Sequence, residues 1–216
     1  MSLCEMYEGE RPRRRPAVVI NTEWGAFGNT GSLDIVRTEY DLKLDRESVN
    51  PSKQVYEKLI SGMYLGELVR LILVDAMKQG IIFDGQEQKT LLLKGKFETR
   101  CGSILLQPHK RVLKDAPFSR FVSEIESDDR TDFSHTRAVM DELHIPETAY
   151  TTFDLWAVRY ICECVSTRAA DLAGAGIASL INKIGKRRVT VGMDGSLYKV
   201  RTLVICVSAS LYLRNH

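Results

Sequence analysis

The sequence lacks three features that would assign it to a specialised class of protein: a charge surplus, a long apolar run and a paired set of cysteines. Its 216 residues carry 30 Lys and Arg against 28 Asp and Glu, a net charge of +2. So small an imbalance gives no general argument for a nucleic acid or an anionic membrane as partner. The longest apolar run, at 203–213, is far shorter than the roughly 20 residues that cross a bilayer, so no transmembrane segment is expected.

The five cysteines are odd in number, and Cys162 and Cys164 are separated by a single residue. That spacing is too tight for a usual zinc site, and no pair of histidines accompanies it. Reduced thiols and no metal site are therefore expected. The N-terminal segment holds no apolar signal core, which predicts a cytoplasmic protein. The basic stretch at 11–16 is either a patch for nucleic acid or import, or a solvated turn before a strand.

What is present is ordinary for a globular protein, with 44% hydrophobic and 27% charged residues. The length allows one large domain or two small ones. A β-branched run at 17–24 predicts a strand whose end delivers Asn21 and Glu23 to an edge where ligands often bind. A glycine-rich loop follows at 25–31. A second, buried strand is predicted over Arg188–Asp194, ending in a Gly195-Ser196 turn.

Helical periodicity dominates the middle of the chain and the stretch after residue 133. It predicts two helical pieces over 52–78 with a bend at Ser61-Gly62 and an end at Gly80, a shorter helix over 133–143, and a long helix that begins at a Thr151 or Thr152 cap and runs to Ile184. Strands that alternate with helices indicate an α/β fold.

Two groups of polar residues stand out as candidate sites. The segment Asp194-Gly-Ser196 follows a predicted strand and presents backbone N–H groups and a hydroxyl, which suit a phosphate chain, but Asp-Gly also simply makes a turn. Glu23 at a strand end and Glu57 near a helix start form the second group, because a carboxylate accepts two hydrogen bonds from sugar hydroxyls. For Glu57 alone, an exposed helix glutamate is the plain alternative. The four histidines are scattered and predict no catalytic role.

Three long segments closely resemble the eukaryotic hexokinase family, glucokinase included. They are Asn21-Thr-Glu-Trp-Gly-Ala-Phe-Gly28, Gln54-Val-Tyr-Glu-Lys-Leu-Ile-Ser-Gly-Met-Tyr-Leu-Gly-Glu-Leu-Val-Arg70 and Thr190-Val-Gly-Met-Asp-Gly-Ser-Leu-Tyr-Lys199. Shorter segments at 95–99, 124–128 and 165–170 agree in the same order. The resemblance runs from about Tyr7 to Lys199. It implies an α/β chain with the actin-like ATPase (ribonuclease H-like) fold, holding an incomplete large domain of a hexokinase.

The resemblance also implies roles for individual residues. It assigns hexose binding to Glu23, Gln54 and Glu57. It assigns nucleotide binding to Gly62, Met63, Thr99, Ser123, Asp194, Gly195 and Ser196. The implied reaction is transfer of the γ-phosphoryl group of Mg-ATP to the 6-hydroxyl of glucose or another hexose, the first step of glycolysis. No residue is assigned as a metal ligand or as the catalytic base.

Departures from the family pattern divide the chain into segments. Residues 1–16 form an N-terminal remnant, 17–199 a partial large domain with an insert at 101–120, and 200–216 an unrelated tail. The family's small domain, first phosphate loop, catalytic aspartate and adenosine motif have no match in this sequence. We therefore expect the chain alone to be inactive as a hexokinase. The alternative is a non-catalytic protein that binds sugar or associates with an intact hexokinase.

The insert at 101–120 is expected to form a surface excursion, because the family pattern continues on both sides and longer loops add little closure entropy. Limited proteolysis with trypsin should therefore cut first at Lys110, Arg111 or Lys114, with the fragments identified by mass spectrometry. Protection of all three sites while other sites are cut would contradict this expectation.

Overall fold

The computed structural model describes residues 3–4, 21–94, 120–128, 131–185 and 192–193. Within these ranges the chain forms seven α-helices and three short strands. The helices are α1 (Glu39–Arg46), α2 (Val55–Ile60), α3 (Gly62–Lys78), α4 (Lys89–Leu92), α5 (Arg120–Glu126), α6 (Ser134–Glu142) and α7 (Thr152–Ile184). The strands are β1 (Leu3–Cys4), β2 (Asn21–Thr22) and β3 (Gly192–Met193), and β1 pairs antiparallel with both of the others.

The α/β layering predicted from the sequence is not established by the described residues, which are mostly helical. The two predicted strands, at 17–24 and 188–194, reach the described ranges only at 21–24 and 192–193. There β2 and β3 flank β1 in one small sheet of order β2-β1-β3. Residues 101–119 of the predicted insert and the predicted tail at 200–216 lie outside the described residues. Arg120, which the sequence predicts as the last residue of the insert, is the first residue of α5.

Helices α2 and α3 form where the periodicity predicts them, and the bend lies at the predicted place. Ser61 has extended backbone angles (φ −84°, ψ 132°), which interrupt the helix, and its hydroxyl oxygen accepts a hydrogen bond from the N–H of Met63 at 3.4 Å. Helix α3 ends at Lys78, and Gly80 then adopts φ +72°, in the left-handed region that favours glycine. The predicted bend and the predicted end are both confirmed.

Helix α7 begins and ends as predicted, with Thr151 as the cap. The Thr151 hydroxyl oxygen accepts from the N–H of Asp154 at 3.3 Å, and the Asp154 carboxylate accepts from the N–H of Thr151 at 2.6 Å, which forms a capping box. The same carboxylate accepts the N–H of Phe83 at 2.8 Å and so joins α7 to the turn after α3. Gly185 ends the helix at φ +64°. No helix in the described ranges has both the length and the apolar composition that a membrane crossing requires.

The main hydrophobic core lies where α3 and α7 pack together with α5 and α6. Its fully buried side chains include Leu65, Leu68, Leu73 and Met77 of α3, Ile125 of α5, Val139 and Met140 of α6, and Val158 and Cys162 of α7. Complete burial of one such side chain contributes about 1.5–3 kcal/mol. This core therefore fixes α7 as the helix against which the N-terminal half of the described chain packs.

A network of buried charges joins α1 to α2 and to α7. Lys58 Nζ lies 2.6 Å from one carboxylate oxygen of Asp45, and Arg37 lies 3.1 Å from the other. Arg168 on α7 forms two hydrogen bonds to the Asp41 carboxylate, at 2.7 and 2.8 Å. Burial alone would raise the pKa of Asp45, but the hydrogen bonds from Lys58 and from the Ser52 N–H, with the charges of Lys58 and Arg37, together outweigh it and hold that pKa below its usual value.

The buried Lys58–Asp45 pair should contribute far more to the free energy of unfolding than an exposed pair of a lysine and a carboxylate. We expect Lys58→Met to lower the free energy of unfolding by about 3 kcal/mol, the low end for a broken buried pair, because Arg37 still faces Asp45. Lys94→Met is the matched control, since Lys94 and Glu47 are both exposed and 3.9 Å apart, and such a pair contributes about 0–1 kcal/mol. Urea denaturation near neutral pH measures both variants.

The pH dependence of that loss follows from the lowered pKa of Asp45. A carboxyl group with a lowered pKa in the folded state stabilises the fold above its unfolded value of about 4 and loses that contribution as the pH falls through the folded pKa. The difference between the parent chain and Lys58→Met should therefore shrink in acid. Equal destabilisation by Lys58→Met and Lys94→Met would contradict the prediction.

Candidate functional site

The loop that follows β2 docks on the first turn of α2. The N–H groups of Val55, Tyr56 and Glu57 donate to three acceptors of this loop: the Asn29 side-chain oxygen at 3.1 Å, the Phe27 carbonyl at 3.2 Å and the Gly25 carbonyl at 3.3 Å. The first N–H groups of a helix have no partner within the helix. The loop at 25–29 supplies these partners, so the loop and the start of α2 form one unit.

Gly25 brings the backbone of this loop against two of the predicted hexose residues. A Cβ atom at Gly25 would lie 2.6 Å from Gln54 Oε1 and 3.2 Å from both Cβ and Oε2 of Glu57. Cβ contacts below 3.0 Å are essentially absent from real proteins. Only glycine therefore fits this position without a shift of its neighbours. Gln54 and Glu57 therefore converge on the same place, next to Gly25.

Gln54 has two features that are unusual for a residue with a purely structural role. Its backbone is left-handed (φ 54°, ψ 42°), which is uncommon for a residue other than glycine. Its side-chain Oε1 is buried and accepts no hydrogen bond from the described residues. A buried acceptor without a donor costs about 1–3 kcal/mol. A ligand hydroxyl that donates to this oxygen would remove that cost.

Glu23 lies directly after β2 and two residues before Gly25, and its side chain is exposed, whereas Glu57 is partly buried. The chain therefore carries Glu23 into the loop that docks on α2. The convergence of the Glu23 and Glu57 carboxylates on one ligand stays a prediction.

The residues predicted to bind nucleotide are only partly within the described ranges. Gly62 and Met63 form the start of α3, where the Met63 side chain is exposed. Ser123 lies in α5, and its hydroxyl is buried without a partner among the described residues. The remaining four, Thr99, Asp194, Gly195 and Ser196, lie outside the described residues. In the described part of the chain, no three His, Cys, Asp or Glu side chains are grouped so that they could hold a metal ion.

An aromatic cluster beneath the loop was not predicted from the sequence. The rings of Trp24 and Phe27 meet the ring of Tyr56 edge to face, with centroid distances of 5.3 and 5.8 Å. The Tyr56 hydroxyl donates to the Leu172 carbonyl on α7 at 2.6 Å, and burial raises the pKa of Tyr56 to about 12. No local signal predicts this contact, because its partners are 116 residues apart.

Asn29 has a structural role in the site that was also not predicted, because its side-chain oxygen accepts the N–H of Val55 at the start of α2. Asparagine is a common helix cap when it immediately precedes the helix, but Asn29 caps α2 from 26 positions upstream. A search of the sequence for local caps therefore cannot find it.

Comparisons with known proteins give a consistent result over most of the chain. The family model described as Hexokinase matches residues 1–203. The hexokinase of Schistosoma mansoni is 42% identical over 199 residues, or 92% of this chain, and human hexokinase-1 is 43% identical over 206 residues, or 93% of this chain. A solved structure of a hexokinase from Schistosoma mansoni complexed with glucose covers 94% of this chain, with a TM-score of 0.76 and 39% identity. The predicted resemblance is confirmed.

The chain spans only part of each of these relatives. It covers 39% of the Schistosoma hexokinase, 19% of human hexokinase-1 and 41% of the chain solved with glucose. A further solved hexokinase, with a TM-score of 0.64 and 22% identity over 91% of this chain and 37% of its own, shows a likeness of fold alone. The structural neighbours are thus hexokinases, which have the actin-like ATPase fold.

Proposed function

Because the chain belongs to the hexokinase family, we propose that Glu23, Gln54 and Glu57 form one side of a hexose-binding site. The observation that carries the proposal is the convergence of Gln54 and Glu57 on Gly25, with a Gln54 oxygen that is buried and has no donor within the described ranges. The solved Schistosoma relative is complexed with glucose, and glucose is the first hexose to test.

The chemistry of these side chains suits a sugar. A carboxylate accepts hydrogen bonds from two adjacent hydroxyl groups, and such charge-assisted bonds are short and directional. The amide of Gln54 adds one acceptor and two donors. A site built in this way rejects analogues that lack a hydroxyl, because its polar groups would then be buried without partners.

We propose that the whole protein transfers the γ-phosphoryl group of ATP to the 6-hydroxyl of a hexose, as an early cytoplasmic step of glycolysis. ATP would be used as its magnesium complex, which neutralises charge on the phosphates. The nucleotide side would comprise Gly62, Met63, Thr99, Ser123, Asp194, Gly195 and Ser196. Of these, Ser123 offers a buried hydroxyl that lacks a partner among the described residues.

The second candidate function is a non-catalytic one: a protein that binds the hexose, or associates with an intact hexokinase, without transferring phosphate. The convergence of Gln54 and Glu57 on Gly25 supports this function as well, because it bears on hexose binding and not on phosphoryl transfer. Both a hexose kinase and a non-catalytic sugar-binding protein are expected to bind glucose. An assay of phosphoryl transfer therefore separates the two functions.

The proposed site leads to a prediction about hexose binding. Isothermal titration calorimetry with glucose should detect binding by the parent chain, and Glu57→Gln should weaken it. The lost charged hydrogen bond is worth about 1.5–3 kcal/mol, so we expect the dissociation constant to rise roughly 10- to 150-fold. Glu87→Gln is the matched control, because Glu87 is exposed in the connection before α4 and its change removes the same charge.

Absence of glucose binding by a folded parent chain would contradict the proposal. Equal affinities for the parent chain and Glu57→Gln would also contradict it, since Glu57 would then lie outside the sugar contact.

The second prediction is that these 216 residues alone do not phosphorylate glucose above background. General-base assistance is typically worth about 10²–10⁴-fold, and domain closure, which excludes water, needs a second domain. A coupled assay of glucose-dependent ADP release measures the rate. Release that scales with protein concentration and is lost in Ser196→Ala would overturn the prediction and would favour the catalytic function.

A further inference from the structure

Each proposed hexose carboxylate has an aromatic neighbour in the sequence. Trp24 follows Glu23, and Tyr56 precedes Glu57. The two rings pack against each other edge to face, with centroids 5.3 Å apart and an angle of 80° between their planes. Such pairs prefer this geometry and contribute about 0.5–1.5 kcal/mol beyond their buried area. The two carboxylates are therefore attached to one aromatic pair.

The aromatic pair packs on one turn of α7. The Tyr56 hydroxyl donates to the Leu172 carbonyl at 2.6 Å, and the next residue on that face of the helix is Gly176. A Cβ atom at Gly176 would lie 2.5 Å from the Tyr56 hydroxyl oxygen and 2.9 Å from Cζ3 of the Trp24 ring. Both distances are below the closest approach that real Cβ atoms make, so any side chain at 176 would displace the rings.

Glycine is otherwise a poor choice at this position. In the interior of a helix, glycine is less favourable than alanine by about 1 kcal/mol. Gly176 lies well inside α7, which runs from Thr152 to Ile184. Helix formation gives no reason for a glycine at this position. The space that the two rings require does give one.

We propose that Gly176 is a positioning residue of the hexose site: the absence of its side chain lets Trp24 and Tyr56 pack on α7, and their position sets the separation of Glu23 and Glu57. The inference rests on the proposed hexose-binding function. Hydrogen bonds to a bound ligand tolerate only about 0.5 Å of displacement before they weaken. A Cβ atom at 176 demands a larger shift than this, because its distance from the Tyr56 oxygen must grow from 2.5 Å to an ordinary contact of at least 3.4 Å.

The geometry also predicts a rescue. Of the two contacts that a Cβ atom at 176 would make, the shorter is with the Tyr56 hydroxyl oxygen. Tyr56→Phe removes that atom and keeps the ring. Gly176→Ala and Tyr56→Phe should therefore be strongly non-additive, as expected of substitutions in direct contact. A purely structural role for Gly176 would change stability without a matching change in hexose affinity.

The experiment measures glucose affinity by calorimetry and Tm by circular dichroism for the parent chain, Gly176→Ala, Tyr56→Phe and the double variant. We expect Gly176→Ala to weaken glucose binding by about tenfold or more, the effect of losing one charged hydrogen bond to the sugar. The double variant should bind glucose within about threefold of Tyr56→Phe, since the 2.5 Å contact with the oxygen is gone and the remaining contact with Trp24, at 2.9 Å, lies only just below the 3.0 Å limit. Ser179→Ala is the control, because Ser179 is exposed one turn along α7 and its hydroxyl donates back to the Ala175 carbonyl of the same helix.

A second measurement reports on the rings directly. Trp24 and Trp156 are the only tryptophans of the chain, and Trp156 is exposed on α7. In a Trp156→Phe background the emission therefore comes from Trp24 alone. Gly176→Ala should shift this emission in the absence of any sugar, and Tyr56→Phe in the same chain should largely restore it.

The possible results separate this inference from the proposed function. Parent-like affinity and parent-like Trp24 emission in Gly176→Ala would overturn the inference and leave hexose binding intact. A loss of affinity that Tyr56→Phe does not restore would overturn it as well. A parent chain that binds no glucose would overturn the proposed function and the inference together. If Gly176→Ala fails to fold, the double variant still tests the inference: a double variant that folds and binds glucose within about threefold of Tyr56→Phe supports it, and one that folds but binds glucose much more weakly than Tyr56→Phe overturns it.

Discussion

The docking of the 25–29 loop on the first turn of α2 is the contact on which the candidate site depends. A helix start exposes N–H groups without partners, and each one buried without an acceptor costs about 1–3 kcal/mol. Here Asn29, Phe27 and Gly25 accept all three N–H bonds from residues 55–57. Because the loop satisfies the helix start, α2 can follow directly from Gln54 in a left-handed conformation, and the same contact holds Glu57 against Gly25.

Helix α7 provides the rigid surface for this unit. It is capped at both ends and packs in the main core along its first half. Three side chains from other elements are fixed to it: Asp41 by Arg168, Tyr56 by the Leu172 carbonyl, and Glu126 by the Ser166 hydroxyl. Sites that are carried by loops gain precision when rigid elements support them. The long helix thus supports the residues around the candidate site, although none of the predicted hexose residues lies on it.

The sequence predicts the parts of the fold that carry local signals. The bend at Ser61, the cap at Thr151 and the end of α7 all follow from residues within one or two turns. Helix α1 was missed, although Thr38 and Asp41 form a capping box, because it is short and weakly apolar. The site residues came from the family resemblance. The contacts of Gly176 and Arg168 could not be predicted, because they depend on which distant elements meet in the fold.

Gln54, on the hexose side of the candidate site, combines two unfavourable features. Its backbone is left-handed, and its side-chain oxygen is buried without a partner among the described residues. Six non-glycine residues in the described ranges have positive φ, and of these only Gln54 also buries a side-chain oxygen without a partner. Each of these two features costs on the order of 1–3 kcal/mol. The docked loop and the Lys58–Asp45 pair both fix α2, which begins directly after Gln54. An acceptor that is buried without a donor among the described residues can be satisfied by a ligand that brings the donor, and a hexose hydroxyl meets that requirement.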